Sequence, residues 1–136
     1  MKSKMNRLAN AQNPYQGDMK RVLCVCSAGL LRSPTIAWVL SNPPYNCNTR
    51  AAGVSQDYAL IPIDDALIHW ADEIVCADEE HARPITELIK ENNFLAKEKP
   101  IHILSIEDKY KTRSPELVKI VEAELERVKF PRQDVK

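Results

Sequence analysis

The segment that most constrains this chain is residues 22–35, VLCVCSAGLLRSPT. Its opening residues are almost all apolar, which is typical of a parallel strand buried on both faces of a sheet. Ser33 and Pro34 then give a helix-start signal, a hydroxyl N-cap followed by proline at the first helical position. Five residues separate Cys26 from Arg32. The segment therefore predicts a strand, a short loop and a helix, with a cysteine where the strand ends and an arginine where the helix begins.

A loop between a strand end and a helix start is suited to binding an anion. The N–H groups and the dipole of the helix N-terminus both favour negative charge. Arg32 adds a planar fork that matches two phosphoryl oxygens, and Cys26 would be a thiolate nucleophile assisted by the Ser33 hydroxyl. The expected phosphate-binding residues are Ser27, Ala28, Gly29, Leu30, Leu31, Arg32 and Ser33. This pattern favours a cysteine-dependent phosphatase, although Cys26 could also be a small core residue and Arg32 a surface charge.

Three segments resemble the low-molecular-weight protein tyrosine phosphatase superfamily. Residues 25–35 resemble its phosphate loop, residues 50–54 (RAAGV) its second strand, and residues 71–81 (ADEIVCADEEH) its third strand and the helix that follows. The resemblance implies a phosphatase fold, a thiol nucleophile that forms a phosphocysteine intermediate, no metal, and a late aspartate as general acid. Gly29 and Leu31 stand where the best-known members have asparagine and cysteine, and the family's Asp-Pro pair is absent, which indicates a short, divergent branch.

A second catalytic group is needed, because the leaving oxygen of the substrate must receive a proton. Asp108 lies just after the predicted fourth strand, where a loop would face the Cys26 loop, and is the expected general acid. Glu107 and Asp78 are alternatives, and Asp57 is a further one. Tyr110 is predicted to wall the pocket and stack on an aromatic substrate, or else to pack as a loop residue on the last helix.

Strands and helices alternate along the chain. Strands are predicted at residues 21–25, 49–52, 73–76 and 101–104, and helices at 33–41, 63–70, 79–91 and 114–128. This alternation predicts an α/β fold, a single domain with a doubly wound, four-stranded parallel sheet flanked by helices and a phosphate loop after strand one. Residues 1–18 are predicted to form a flexible N-terminal arm, and residues 19–136 the phosphatase-like domain.

Composition excludes several classes of function. The 19 lysines and arginines balance the 19 aspartates and glutamates, so neither a basic nucleic-acid-binding face nor a nucleic-acid partner is expected. No apolar run has membrane-spanning length, and residues 1–16 lack a signal-peptide core. The four cysteines therefore indicate a reducing, cytoplasmic setting. With no Cys-x2-Cys pair and scattered histidines, neither a metal nor another cofactor is expected.

The expected partner is a phosphorylated protein or a small aryl phosphate, with phosphotyrosine implied by the family resemblance. Two other functions stay open. A thiol-dependent arsenate reductase would use the same loop and needs a relay of cysteines, for which Cys47 and Cys76 are available. A catalytically weak phosphate-binding or interaction module would keep the loop without turnover. The sequence does not predict an oligomeric state.

Other conspicuous residues have structural interpretations. His81 and Arg83 could border the entrance to the site but are interpreted as surface-packing residues. Trp38 and Trp70 are interpreted as core or helix-packing residues.

Overall fold

A computed structural model of the protein describes residues 19–27, 32–55, 61–91, 99–107, 109 and 114–133. The strands are β1 (Arg21–Cys26), β2 (Asn48–Gly53), β3 (Glu73–Cys76) and β4 (Ile101–Ile103). The helices are α1 (Arg32–Ser41), α2 (Asp65–Trp70), α3 (Ala82–Glu91) and α4 (Pro115–Arg127), and a 3₁₀ turn (Glu79–His81) precedes α3. The proposed arm, residues 1–18, lies outside the described residues.

The four strands form one parallel sheet in the order β2-β1-β3-β4. Val22 in β1 lies opposite Thr49 in β2 and Glu73 in β3, so β1 is paired on both sides. The chain passes from β1 to β2 on one side and then crosses to β3 on the other. The strand order therefore reverses between β1 and β3, and sheets of this kind bind ligands outside the carboxyl ends of the strands at such a point.

Both faces of the sheet are covered by helices. On one face, apolar residues of β1 pack with α1 and α4 around Ile36, Leu40, Leu117, Val121 and Leu125. On the other face, β1 and β3 pack with α2 and α3 around Leu23, Ile74, Leu67, Ile68 and Ile85. Alternate residues of β1 contribute to opposite faces, as the period of a strand requires. The predicted doubly wound α/β fold is confirmed.

Helix starts follow local capping chemistry. Ser114 caps α4 by accepting a hydrogen bond from the Leu117 N–H at 3.2 Å, and Pro115 occupies the first position, as predicted. Asp64 caps α2 in the same way through Leu67, so this helix begins at Asp65 and not at residue 63. The predicted N-cap role of Ser33 is wrong, because α1 already begins at Arg32 and the Ser33 hydroxyl bonds elsewhere.

The two tryptophans differ in environment. Trp70 packs against the second core and stacks beneath two cations, with the guanidinium carbon 4.9 Å from the ring centroid for Arg50 and 6.0 Å for Arg21. Trp38 in α1 is 36% exposed, so of its two predicted roles, core or helix packing, the core role is excluded. None of the helices that the structure describes is long and apolar enough to cross a membrane.

Candidate active site

Cys26 is the last residue of β1 and lies at the switch point of the sheet. Its side chain is 3% exposed, and its carbonyl accepts a hydrogen bond from the Val54 N–H at 2.9 Å. On the other side of β1, the Ala77 N–H bonds to the Val25 carbonyl at 2.8 Å. The cysteine is thus held between the carboxyl ends of two neighbouring strands, on backbone that leaves it little freedom to move.

Ser33, in the first turn of α1, contacts the sulfur of Cys26. Ser33 Oγ lies 3.2 Å from Cys26 Sγ and 3.3 Å from the Ala52 carbonyl oxygen, and the residue is fully buried. The hydroxyl has a single proton, which it can donate to either of these acceptors. When Cys26 is a thiol it donates to Ser33, and when it is a thiolate Ser33 becomes the donor.

Arg32 places a buried guanidinium between Ser27 and the segment after β4. The residue is 3% exposed. Its Nη2 donates to Ser27 Oγ at 3.2 Å, and its Nη1 donates to the Ile106 carbonyl at 3.0 Å. Two partners 79 residues apart in sequence (106 − 27) therefore orient one planar fork. A buried cation at a helix N-terminus favours an anion at this point.

His81 belongs to the same group of contacts. It closes the 3₁₀ turn after β3 and is fully buried, so its interpretation as a surface residue is wrong. Its Nδ1 accepts a hydrogen bond from the Asp78 N–H at 3.0 Å, and its Nε2 lies 3.1 Å from Ser27 Oγ. Arg83, the other residue considered for the entrance, is exposed on α3 and pairs with Glu87 at 3.6 Å.

The candidate general acids are less completely described. Asp108, Tyr110 and Asp57 lie outside the described residues, as do the loop residues Ala28, Gly29, Leu30 and Leu31. Glu107 is 74% exposed and pairs with Lys109 at 3.2 Å. The segment before it runs along the site, because Ile106 donates its N–H to the Ala77 carbonyl at 3.0 Å and accepts from Arg32.

The thiols of the other three cysteines are too basic to act as nucleophiles at neutral pH. Burial raises the pKa of the Cys24 thiol well above its ordinary value, and it raises the pKa of Cys47 and of Cys76 to about 12. These groups stay protonated at neutral pH, whereas thiol exchange requires an accessible thiolate. A relay through Cys47 and Cys76 is accordingly disfavoured.

The structure thus brings four of the predicted site residues together, Cys26, Ser27, Arg32 and Ser33. Sequence reasoning considered His81 only for the entrance to the site and missed its buried contact with Ser27, and it missed the contributions of Ala52 and Ile106. A signal for His81 was present, since an aspartate three residues before a histidine at the end of a strand resembles a capping box. Backbone carbonyls such as those of Ala52 and Ile106 leave no residue-type signal at all.

Several solved structures are similar to this one. Wzb from Vibrio vulnificus, in complex with benzylphosphonate, is 17% identical with a TM-score of 0.58, and the match covers 82% of this chain and 96% of that one. The tyrosine phosphatase amsI from Erwinia amylovora is 15% identical with a TM-score of 0.57, covering 87% and 95%. A cysteine-to-serine mutant of the YwlE arginine phosphatase, with a phosphorylated active-site serine, is 19% identical with a TM-score of 0.50, covering 79% and 90%.

No family model matches the sequence, and no curated protein matches it. The structural likeness extends over most of this chain and nearly all of the similar ones. The chain therefore has the fold of the low-molecular-weight phosphotyrosine phosphatases, and the resemblance noted in the sequence is confirmed at the level of the fold.

Proposed function

We propose that this protein is a metal-independent phosphatase that hydrolyses phosphomonoesters through a phosphocysteine intermediate on Cys26. The observation that carries the proposal is the arrangement of Cys26 Sγ beside Ser33 Oγ, with the buried Arg32 guanidinium held at the start of the same helix. The likeness to solved phosphatases supports it. The phosphorylated active-site serine of the YwlE mutant supports a covalent phosphoryl-enzyme step in proteins of this fold.

In the first step the phosphoryl dianion binds to Arg32 and to the loop that begins at Ser27. The Cys26 thiolate attacks phosphorus, an S–P bond forms, and the P–O bond to the leaving group breaks. Asp108 gives its proton to the leaving oxygen. Charge spreads over three equatorial oxygens in the transition state, and donors fixed in advance stabilise it without reorganisation.

In the second step water attacks the phosphocysteine. Asp108, now ionised, takes a proton from the water, the S–P bond breaks, and inorganic phosphate leaves. Ser33 donates its hydrogen bond to the departing sulfur, which stabilises the thiolate as it forms again. While the sulfur is bound to phosphorus, the Ser33 hydroxyl can donate its hydrogen bond to the Ala52 carbonyl oxygen, 3.3 Å away.

The position of the segment that precedes Asp108 supports this residue as the general acid. Ile106 accepts from Arg32 and bonds to Ala77, so the chain two residues before Asp108 lies against the phosphate-binding cation. Glu107 is largely exposed and already paired with Lys109. Asp78 is partly buried, and its N–H is directed to His81.

A phosphorylated tyrosine in a protein is the substrate we propose, with small aryl phosphates as its analogues. The tyrosine phosphatase amsI and the benzylphosphonate complex of Wzb support an aromatic leaving group. The four cysteines are free thiols, which supports a reducing, cytoplasmic setting.

The test is hydrolysis of p-nitrophenyl phosphate and of phosphoarginine by the wild type, Cys26→Ser and a control, Cys47→Ala. Cys47 is an equally buried cysteine that is remote in sequence from the loop. We expect vanadate-sensitive turnover of the aryl phosphate that disappears in Cys26→Ser and persists in Cys47→Ala. If the wild type bound vanadate without turnover, the protein would be a phosphate-binding module and not a phosphatase. Faster turnover of phosphoarginine than of the aryl phosphate would contradict the proposed substrate.

A further inference from the structure

A continuous chain of hydrogen bonds joins the turn after β3 to the phosphate-binding arginine. The Asp78 N–H donates to His81 Nδ1 at 3.0 Å, His81 Nε2 lies 3.1 Å from Ser27 Oγ, and Arg32 Nη2 donates to the same Ser27 Oγ at 3.2 Å. His81 and Ser27 are 54 residues apart in sequence. The histidine is fully buried, so its ring cannot exchange these partners for bulk water.

The partner of Nδ1 decides the tautomer of His81. A backbone N–H is always a donor, so Nδ1 must be the acceptor and its proton must be absent. The ring proton is then on Nε2, which makes His81 a donor to Ser27 Oγ. The exposed carboxylate of Glu80 also approaches Nε2, at the longer distance of 3.5 Å.

The Ser27 hydroxyl consequently accepts from two sides. His81 Nε2–H and Arg32 Nη2–H occupy its two lone pairs, so the position of this oxygen fixes one edge of the guanidinium. The Ile106 carbonyl fixes the other nitrogen at 3.0 Å. Displacing Ser27 Oγ would therefore rotate the plane of the Arg32 fork.

We propose that His81 is a positioning residue, which holds Ser27 Oγ where it sets the plane of the Arg32 guanidinium before phosphate arrives. The inference rests on the proposed function and adds to it a residue that does not touch substrate. A fork aligned in advance with two phosphoryl oxygens stabilises the transition state more than one that must first reorient. His81 therefore acts on catalysis through Arg32.

Two substitutions of His81 test the hydrogen bonds of its two ring nitrogens separately. His81→Asn keeps an acceptor near Nδ1 for the Asp78 N–H but is too short to reach Ser27. His81→Gln places an amide N–H near Nε2 and can still donate to Ser27. We expect His81→Asn to lower kcat for p-nitrophenyl phosphate about tenfold, the effect of one lost hydrogen bond, and to weaken vanadate inhibition by a similar factor. His81→Gln should recover most of both.

The matched control is His102→Asn. His102 lies on the edge strand β4 and bonds at 2.6 Å to Glu73, the first residue of β3, at the end of the sheet opposite Cys26. This variant should lower the melting temperature without changing kcat or vanadate inhibition. Equal losses in His81→Asn and His81→Gln, or wild-type kinetics in folded His81→Asn, would overturn the positioning role.

A second measurement on the wild type does not depend on how the variants fold. Nitrogen-15 spectra of the histidine rings should show His81 with its proton on Nε2, and vanadate should shift that resonance while leaving His102 unchanged. A proton on Nδ1, or no response to vanadate, would overturn the inference. A wild type that neither hydrolyses aryl phosphates nor binds vanadate would overturn the proposed function itself. An active wild type whose His81 resonance does not respond to vanadate would overturn this inference alone.

Discussion

At the scale of single residues, we expect the loss of the Ser33 hydroxyl to affect the reactivity of the Cys26 sulfur most directly. It lies 3.2 Å from the sulfur, and hydrogen bonds to charged groups contribute about 1.5–3 kcal/mol. We predict that Ser33→Ala lowers kcat for an aryl phosphate roughly 10- to 100-fold, since the thiolate loses its donor both as nucleophile and as leaving group.

The control for Ser33→Ala lies in the same helix. Ser41 is also buried in α1, but its hydroxyl donates to the Trp38 carbonyl at 2.8 Å, away from the sulfur. Ser41→Ala should keep kcat within about twofold of the wild type. Equal kinetics for Ser33→Ala and Ser41→Ala would mean that Ser33 does not support the thiolate.

Whether a residue of the site could be predicted depended on how far apart in the sequence it and its contact partner lie. Cys26, Arg32 and Ser33 lie within one short segment, where strand and helix signals bring them together. The contacts of Ser33 with Ala52, of Ser27 with His81 and of Arg32 with Ile106 span 19, 54 and 74 residues. Such contacts depend on strand order and register, which local patterns do not determine.

At the scale of secondary-structure elements, helix α4 shows how a local cap fixes an element that covers one face of the sheet. Ser114 Oγ accepts from the Leu117 N–H, and Leu117 itself is buried in the core. We predict that Ser114→Ala lowers the free energy of unfolding by about 1 kcal/mol, because the cap acceptor is lost. Urea denaturation followed by circular dichroism measures this change.

Ser114→Asp is the matched variant, because aspartate is an equally good cap. It should keep the wild-type midpoint. If Ser114→Ala and Ser114→Asp lost equal stability, the cap would not be the cause. Turnover by both variants should resemble the wild type, since the cap acts on folding.

The elements themselves were predicted well where capping and burial agreed. Strand β1 is apolar because it is buried on both faces, and α4 begins with an ordinary serine cap and proline. The start of helix α1 was predicted one residue too late. Ser33 has the residue type of a cap, but its hydroxyl is used by Cys26, and the helix starts one residue earlier at Arg32.

At the scale of the whole molecule, a cluster of ion pairs stabilises the end of the sheet opposite Cys26. Glu73 pairs with Lys20 at 2.7 Å and with His102 at 2.6 Å. Burial by itself would raise the pKa of Glu73, but the hydrogen bonds and charges of Lys20 and His102 outweigh it and lower the pKa below its ordinary value of 4.5. The ionised form is thus stabilised by folding.

The sign of the pH effect follows from that lowered pKa. The stability that ionised Glu73 contributes is fully present above pH 4.5 and is lost as the pH falls through the lower folded value. We predict that Glu73→Gln is less stable than the wild type at pH 7 and that this difference narrows towards pH 3. Urea unfolding across this range measures it, with the exposed Glu122→Gln as control; a difference independent of pH would contradict the assignment.

If the phosphoryl group is transferred to Cys26, the phosphocysteine can be trapped and detected directly. The wild type is mixed with p-nitrophenyl phosphate, quenched in acid within the first turnovers, digested, and its peptides analysed by mass spectrometry. We predict one phosphoryl group on the peptide that contains Cys26, and none on the corresponding peptide of a Cys26→Ser variant denatured before mixing. Turnover with no phosphorylated Cys26, or with the phosphoryl group on another residue, would contradict it.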